Sequence, residues 1–226
     1  MSDTMGDRVK AVLFDLDGTL VDTAPDMVAA LARLQQAHGA DDFDHDVARA
    51  NVSNGAAGLV RVAFPDADDA TRAMLHKHFL ALYQENLCVH SRVFPGLPPL
   101  LDELDRQRMP WGVVTNKPQA LTDALLVGLR LTRRMACAIS GDTLPQRKPH
   151  PAPMLLASRM LNVDPGNVVY VGDAARDIEA GRAAGMATIA AAWGYITADD
   201  DPRFWNADHL AATPDQLTHL LTKELR

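Results

Sequence analysis

The sequence predicts an α/β fold: a Rossmann-like open parallel sheet with helices on both faces, plus a small α-helical domain inserted near its start. Three observations predict it. Short apolar runs rich in branched residues alternate with stretches of helical spacing, several of those runs end in polar clusters, and residues 23–94 break the alternation with helical stripes. Residues 9–14 are the first run, and they empty abruptly into Asp15, Asp17 and Gly18, as a buried parallel strand does where it meets a loop. In the segment that follows, Pro25 suits a first helical turn, Met27, Leu31 and Leu34 share a stripe, and Gly39 closes it. Leu75, Phe79 and Leu82 form a second stripe, so the segment reads as wholly helical and as a cap over the site. After Pro95-Gly96 come a helix over 97–107, a strand over 111–114, a helix over 119–129 and a strand over 136–139. A Pro-rich entry leads to a helix over 154–161, then a strand over 168–171, a helix over 177–184 and a strand over 187–191. A short edge strand at 209–212 and a helix over 214–226 end the chain. The core domain is therefore expected at 1–22 and 95–226, and the cap domain at 23–94.

Composition bounds the function. A chain of 226 residues, 47% hydrophobic and 23% charged, is an ordinary globular protein with room for one domain and a sizeable insertion. Its 22 basic and 29 acidic side chains leave a net charge of −7, the wrong sign for binding nucleic acid through phosphate neutralisation. The sequence holds no apolar run long enough to span a membrane, and its polar opening does not read as an export signal. Cys88 and Cys137 lie far apart without a partner motif and read as reduced thiols. A cytoplasmic protein without nucleic-acid or membrane partners is expected, as a monomer or homodimer. Met1 and Met5 both stand as possible starts.

Polar clusters follow the runs. They are Asp15-Leu16-Asp17-Gly18-Thr19, Thr115-Asn116-Lys117, Lys148-Pro149, and Gly172-Asp173 followed by Asp177. In a parallel sheet, topology alone gathers them at one edge. Crowded carboxylates repel by about 3 kcal/mol per pair at about 5 Å. A divalent cation resolves that repulsion, and an all-oxygen set without His or Cys suits Mg²⁺ better than Zn²⁺. Asp15 can act as a nucleophile toward phosphorus, Asp17 as the acid and base, and Lys148 and Thr115 as holders of the phosphoryl oxygens. Asp177 has a second reading as a helix cap.

These motifs, in this order, resemble the haloacid dehalogenase-like hydrolase superfamily from about residue 9 to at least residue 195. The resemblance implies a core of that family's fold and an aspartyl-phosphate intermediate on Asp15, with Asp17 as general acid/base. Mg²⁺ would be held by the Asp15 side chain, the Asp17 backbone carbonyl and Asp173, with Asp177 reaching it through water. Gly18 would permit the tight turn and Thr19 position the loop, and together with Thr115, Asn116 and Lys148 they make up the expected phosphate-binding set. Because Asp17 is present, carbon–halogen cleavage is disfavoured.

The substrate is expected to be a small phosphorylated metabolite, with the cap choosing the leaving group. Ser53-Asn54-Gly55-Ala56 reads either as a tip folded toward the sheet or as an ordinary turn, so Asn54 and Gly55 are candidates, as is Arg92 in the return linker unless it is solvated. The run His76-Lys77-His78 reads as a solvated face, and Trp193, Tyr195 and Trp205 as core packing. The cap resembles that of phosphoglycolate phosphatases. Residues 89–96 and 193–208 are also similar to N-acetylmuramic acid 6-phosphate phosphatases of cell-wall recycling, which often carry an Arg in the cap tip where this chain has Ala57. A β-phosphoglucomutase-like mutase would share every core residue, and a noncatalytic sugar-phosphate-binding regulator would require a lost catalytic group, of which there is none.

Overall fold

A computed structural model of the chain describes residues 9–224. Six parallel strands form one sheet in the order β5-β4-β1-β6-β7-β8: β1 Ala11–Phe14, β4 Trp111–Val114, β5 Cys137–Ile139, β6 Val168–Gly172, β7 Ala187–Ala191 and β8 His209–Ala211. The period-two alternation of the strands builds two cores. Val12, Phe14, Val113, Val169 and Val171 face one side, while Ala11, Leu13, Val114, Val168 and Tyr170 face the other. On the first side lie α5 Leu97–Arg106, α6 Gln119–Gly128 and α9 Pro214–Glu224; on the second lie α7 Ala152–Leu161 and α8 Ala175–Ala183.

β1 lies at the centre, paired with β4 on one side and β6 on the other, where the strand order reverses. Its register sets Phe14 opposite both Val113 and Val171. The residues just beyond these strands, Asp15, Thr115 and Asp173, therefore emerge side by side, at the kind of crevice where open α/β sheets hold ligands.

Between β1 and α5 the chain forms α1 Ala24–His38, α2 His45–Ala50, a 3-10 turn Val52–Asn54, α3 Gly55–Ala63 and α4 Asp69–Glu85. Pro25 stands in the first turn of α1 and Gly39 ends it in the left-handed region, while the Asp44 and Asp68 side chains cap α2 and α4. The segment is not wholly helical. β2 Val21–Asp22 and β3 Arg92–Val93 pair antiparallel where the chain leaves and rejoins the sheet domain, in strands of two residues, too short for any periodicity to show. Buried Asp26 fastens the return linker by accepting from the His90 and Ser91 backbone N–H groups and the Ser91 hydroxyl. Among the described residues no helix is long and apolar enough to cross a membrane. Residues 1–8, with both candidate starts, lie outside the described residues.

Candidate active site

Asp15, Asp173 and Asp177 each offer a carboxylate oxygen within 4.8 Å of the others, and all three are buried. Asp15 and Asp173 project from strand ends, while Asp177 comes from the first turn of α8. That helix starts two residues earlier than its sequence pattern suggests, because the Asp177 carboxylate accepts from the Ala174 N–H. Asp177 therefore caps its helix and also belongs to the acidic cluster. Asp173 accepts from the Thr19 hydroxyl at 3.2 Å, the Tyr195 N–H at 2.9 Å and the Ser53 hydroxyl at 2.6 Å. Gly18 has φ +84°, and a Cβ there would lie 2.1 Å from Asp173 Oδ2, so the close approach requires glycine.

Lys148 joins the cluster through its ammonium. Nζ stands 2.7 Å from Asp15 Oδ1 and 2.7 Å from Asp177 Oδ1, and it donates to the Val114 carbonyl and the Tyr170 hydroxyl. Burial works against the charged ammonium, but the two carboxylates outweigh it and hold its pKa above the ordinary lysine value. Burial raises Asp15 to about 6, with Lys148 opposing and Asp177 adding repulsion. Burial, then repulsion from Asp15 and Asp177, pushes Asp173 up to about 7. Lys148, even with the Arg176 guanidinium as a second positive neighbour, leaves the buried carboxylates Asp15 and Asp173 raised. A hard divalent cation with oxygen ligands fits this donor set.

The carboxylate of Asp17 lies elsewhere. Its Oδ1 accepts from Thr23 Oγ1 at 2.7 Å and from Lys117 Nζ at 2.9 Å, so its side chain is not part of the triad. A cavity of 570 Å³ opens over Asp15, Asp17, Thr115 and Lys148, and its far wall is the helical segment, where Ser53, Asn54, Gly55 and Ala57 all line it. The tip is therefore folded toward the sheet.

Several expected residues sit differently. Arg92 is absent from the cavity wall: its guanidinium turns back onto the carbonyls of Ser91 and Val89, because β3 carries it along the outside of the linker. Asn116 lines the cavity, yet its amide is engaged at both ends by the backbone of Lys148, Nδ2 donating to the carbonyl and Oδ1 accepting the N–H. It clamps the lysine loop at the edge of the cavity. Gly18 and Thr19 are buried against Asp173, away from the cavity lining. Arg176 and Tyr83 carried no sequence signal of their role: Arg176 lines the cavity and donates to the Ser53 carbonyl, and Tyr83 forms a buried pair with Lys117 of the second strand-end cluster. His76, expected on a solvated face, lines the cavity, because α4 turns that position toward the sheet, while His78 contacts His38 at 3.0 Å. Tyr195 is buried, as expected of a core residue, but its hydroxyl also bonds Asp22 and its N–H bonds Asp173.

The sequence model of the haloacid dehalogenase-like hydrolases matches residues 12–191, and the chain belongs to that family. It is a phosphoric monoester hydrolase. A phosphoglycolate phosphatase of Xanthomonas campestris pv. campestris is 44% identical over 208 residues, 92% of this chain and 94% of that one. An N-acetylmuramic acid 6-phosphate phosphatase of Pseudomonas aeruginosa is 41% identical over 219 residues, 96% of this chain and 97% of the relative. Among solved structures, one described as a predicted phosphoglycolate phosphatase from Haemophilus somnus superposes with a TM-score of 0.83 at 26% identity, covering 94% of this chain and 98% of that one.

Proposed function

We propose that this chain is a Mg²⁺-dependent phosphomonoesterase that passes the phosphoryl group of a small metabolite to Asp15 and then to water. The observation that carries the reading is the placement of Asp15: it stands at the floor of the cavity, paired with Lys148 and grouped with two further buried carboxylates. A carboxylate oxygen of Asp15 attacks phosphorus as the ester P–O bond breaks, and Asp17 gives its proton to the leaving oxygen. Water then attacks the aspartyl-phosphate, Asp17 takes the proton, and the P–O bond to Asp15 breaks to release inorganic phosphate. Lys148 and Thr115 hold the phosphoryl oxygens throughout. Mg²⁺, held by the Asp15 and Asp173 carboxylates and the Asp17 backbone carbonyl with Asp177 beside them, would neutralise charge on the transferring group. Residues 23–94 serve as a cap domain on the core of residues 1–22 and 95–226, with the β2–β3 pair as the stalk.

For the substrate, 2-phosphoglycolate, with glycolate as the leaving group, is the first reading, supported by the 44% identical relative. The apolar part of the wall, Met27, Val52, Leu80 and Leu121, favours a second, N-acetylmuramic acid 6-phosphate, whose acetyl and lactyl groups have apolar surface to bury. A phosphate-release panel with both esters and Mg²⁺ decides between them. Turnover of at least one is expected, and negligible turnover of both would remove the proposal.

Metal binding should follow proton release. With Asp173 at about 7, the site takes up protons as pH falls toward 6, and cation and protons compete. Titration calorimetry should therefore show Mg²⁺ affinity weakening as pH falls from 8 to 6. Affinity independent of pH would contradict metal binding at this cluster.

A further inference from the structure

Lys117 and Tyr83 are both buried titratable side chains to which the mechanism above gives no part. Lys117 Nζ donates to Asp17 Oδ1 at 2.9 Å and to the Tyr83 hydroxyl at 3.1 Å, and it stands 4.6 Å from the centre of the Tyr83 ring. The pair bridges the two parts of the molecule, since Lys117 follows β4 and Tyr83 lies on α4. The other side-chain bonds of α4 stay within the helical segment: Arg72 to Pro65, His78 to His38, and Glu85 to Arg33. Asp17 Oδ1, fixed by Lys117 and by Thr23, is the anchored oxygen, which leaves Oδ2 to carry the transferable proton.

We propose that Tyr83 is a positioning residue that acts through Lys117, tying the helical segment to the carboxylate of Asp17 so that the proton donor is aimed while α4 is docked. The inference rests on the phosphatase reading and on Asp17 as its acid. A buried hydroxyl, one direct hydrogen bond to the ammonium and an aromatic face beneath it fix that ammonium in direction as well as distance. Without the hydroxyl, Lys117 keeps its charge and the ring face but loses one of its two side-chain hydrogen bonds.

The test compares leaving groups. An alkyl ester needs its oxygen protonated as it departs, whereas p-nitrophenolate leaves without that help, so the ratio of kcat/KM for the best alkyl ester to that for p-nitrophenyl phosphate reports how well Asp17 is aimed. Tyr83→Phe keeps the ring and its stacking on Phe79 and removes only the hydroxyl. The expected result is a fall in the alkyl-to-aryl ratio of about tenfold, part of the 10²–10⁴ that a positioned acid supplies. Lys117→Met should move the ratio in the same direction, since it removes the link itself. A ratio within roughly twofold of wild type in either variant would overturn the proposal. So would equal losses for both esters, the signature of a purely structural role. If the wild-type enzyme turned over neither ester, the phosphatase reading itself would fail, which is a separate outcome.

Discussion

Asp15→Asn should reduce turnover by at least about 10⁴-fold, in line with what loss of an attacking group costs in other covalent enzymes. The amide is nearly the same size but has no charged oxygen to form the P–O bond, so the aspartyl-phosphate cannot arise. The substitution also removes one of three crowded buried carboxylates, while Lys148 retains Asp177, the Val114 carbonyl and the Tyr170 hydroxyl. Folding should therefore survive. Acid-quenching enzyme mixed with phosphorus-labelled substrate should trap label on the wild-type protein and none on D15N. Label on the variant, or turnover within about a hundredfold of wild type, would show that another group takes the phosphoryl.

Lys148→Met should have the second-largest effect, on stability as well as on rate. Removing one partner of a buried ion pair costs about 3–5 kcal/mol because the other charge is left uncompensated, and here two carboxylates lose the same ammonium. At roughly 2–4 °C per kcal/mol for a chain of this size, the melting temperature should fall by about 6–20 °C in metal-free buffer. Mg²⁺ should restore part of that loss, since a cation at the cluster supplies charge to the same oxygens and binds only the folded state. The rate should remain about 10²–10³-fold low with metal present, because the hydrogen bond to the transferring phosphoryl is gone. Scanning calorimetry with EDTA and then with Mg²⁺ checks both parts. An unchanged melting temperature in EDTA would mean that the ion pairs are not holding the cluster together.

Much of this site was legible in the linear sequence. A buried parallel strand must be apolar on both faces, so the first polar residue after each run marks the strand end, and Asp15, Thr115 and Asp173 could be placed on one sheet edge by counting alone. Lys148 was found through its motif, although nothing local says that it would pair with two aspartates at once. The elements that escaped were those without a repeating signal. β2 and β3 hold two residues each, and Arg92 looked available for substrate until β3 pairing set its direction along the linker. Asn116 lies in the right loop, but which way an amide faces depends on a neighbour 32 positions away, the Lys148 backbone.

By itself the sequence determined the α/β class, the inserted helical segment and the chemical character of the cluster at the strand ends, because these follow from periodicity and residue type along a continuous stretch. The tertiary structure alone decided that Ser53 reaches Asp173, that Arg176 reaches Ser53, and that Tyr83 shares Lys117 with Asp17. These contacts join residues 34 to 123 positions apart. No local pattern encodes such a distance, since it is fixed only once the packing of the helical segment on the sheet sets where each side chain ends.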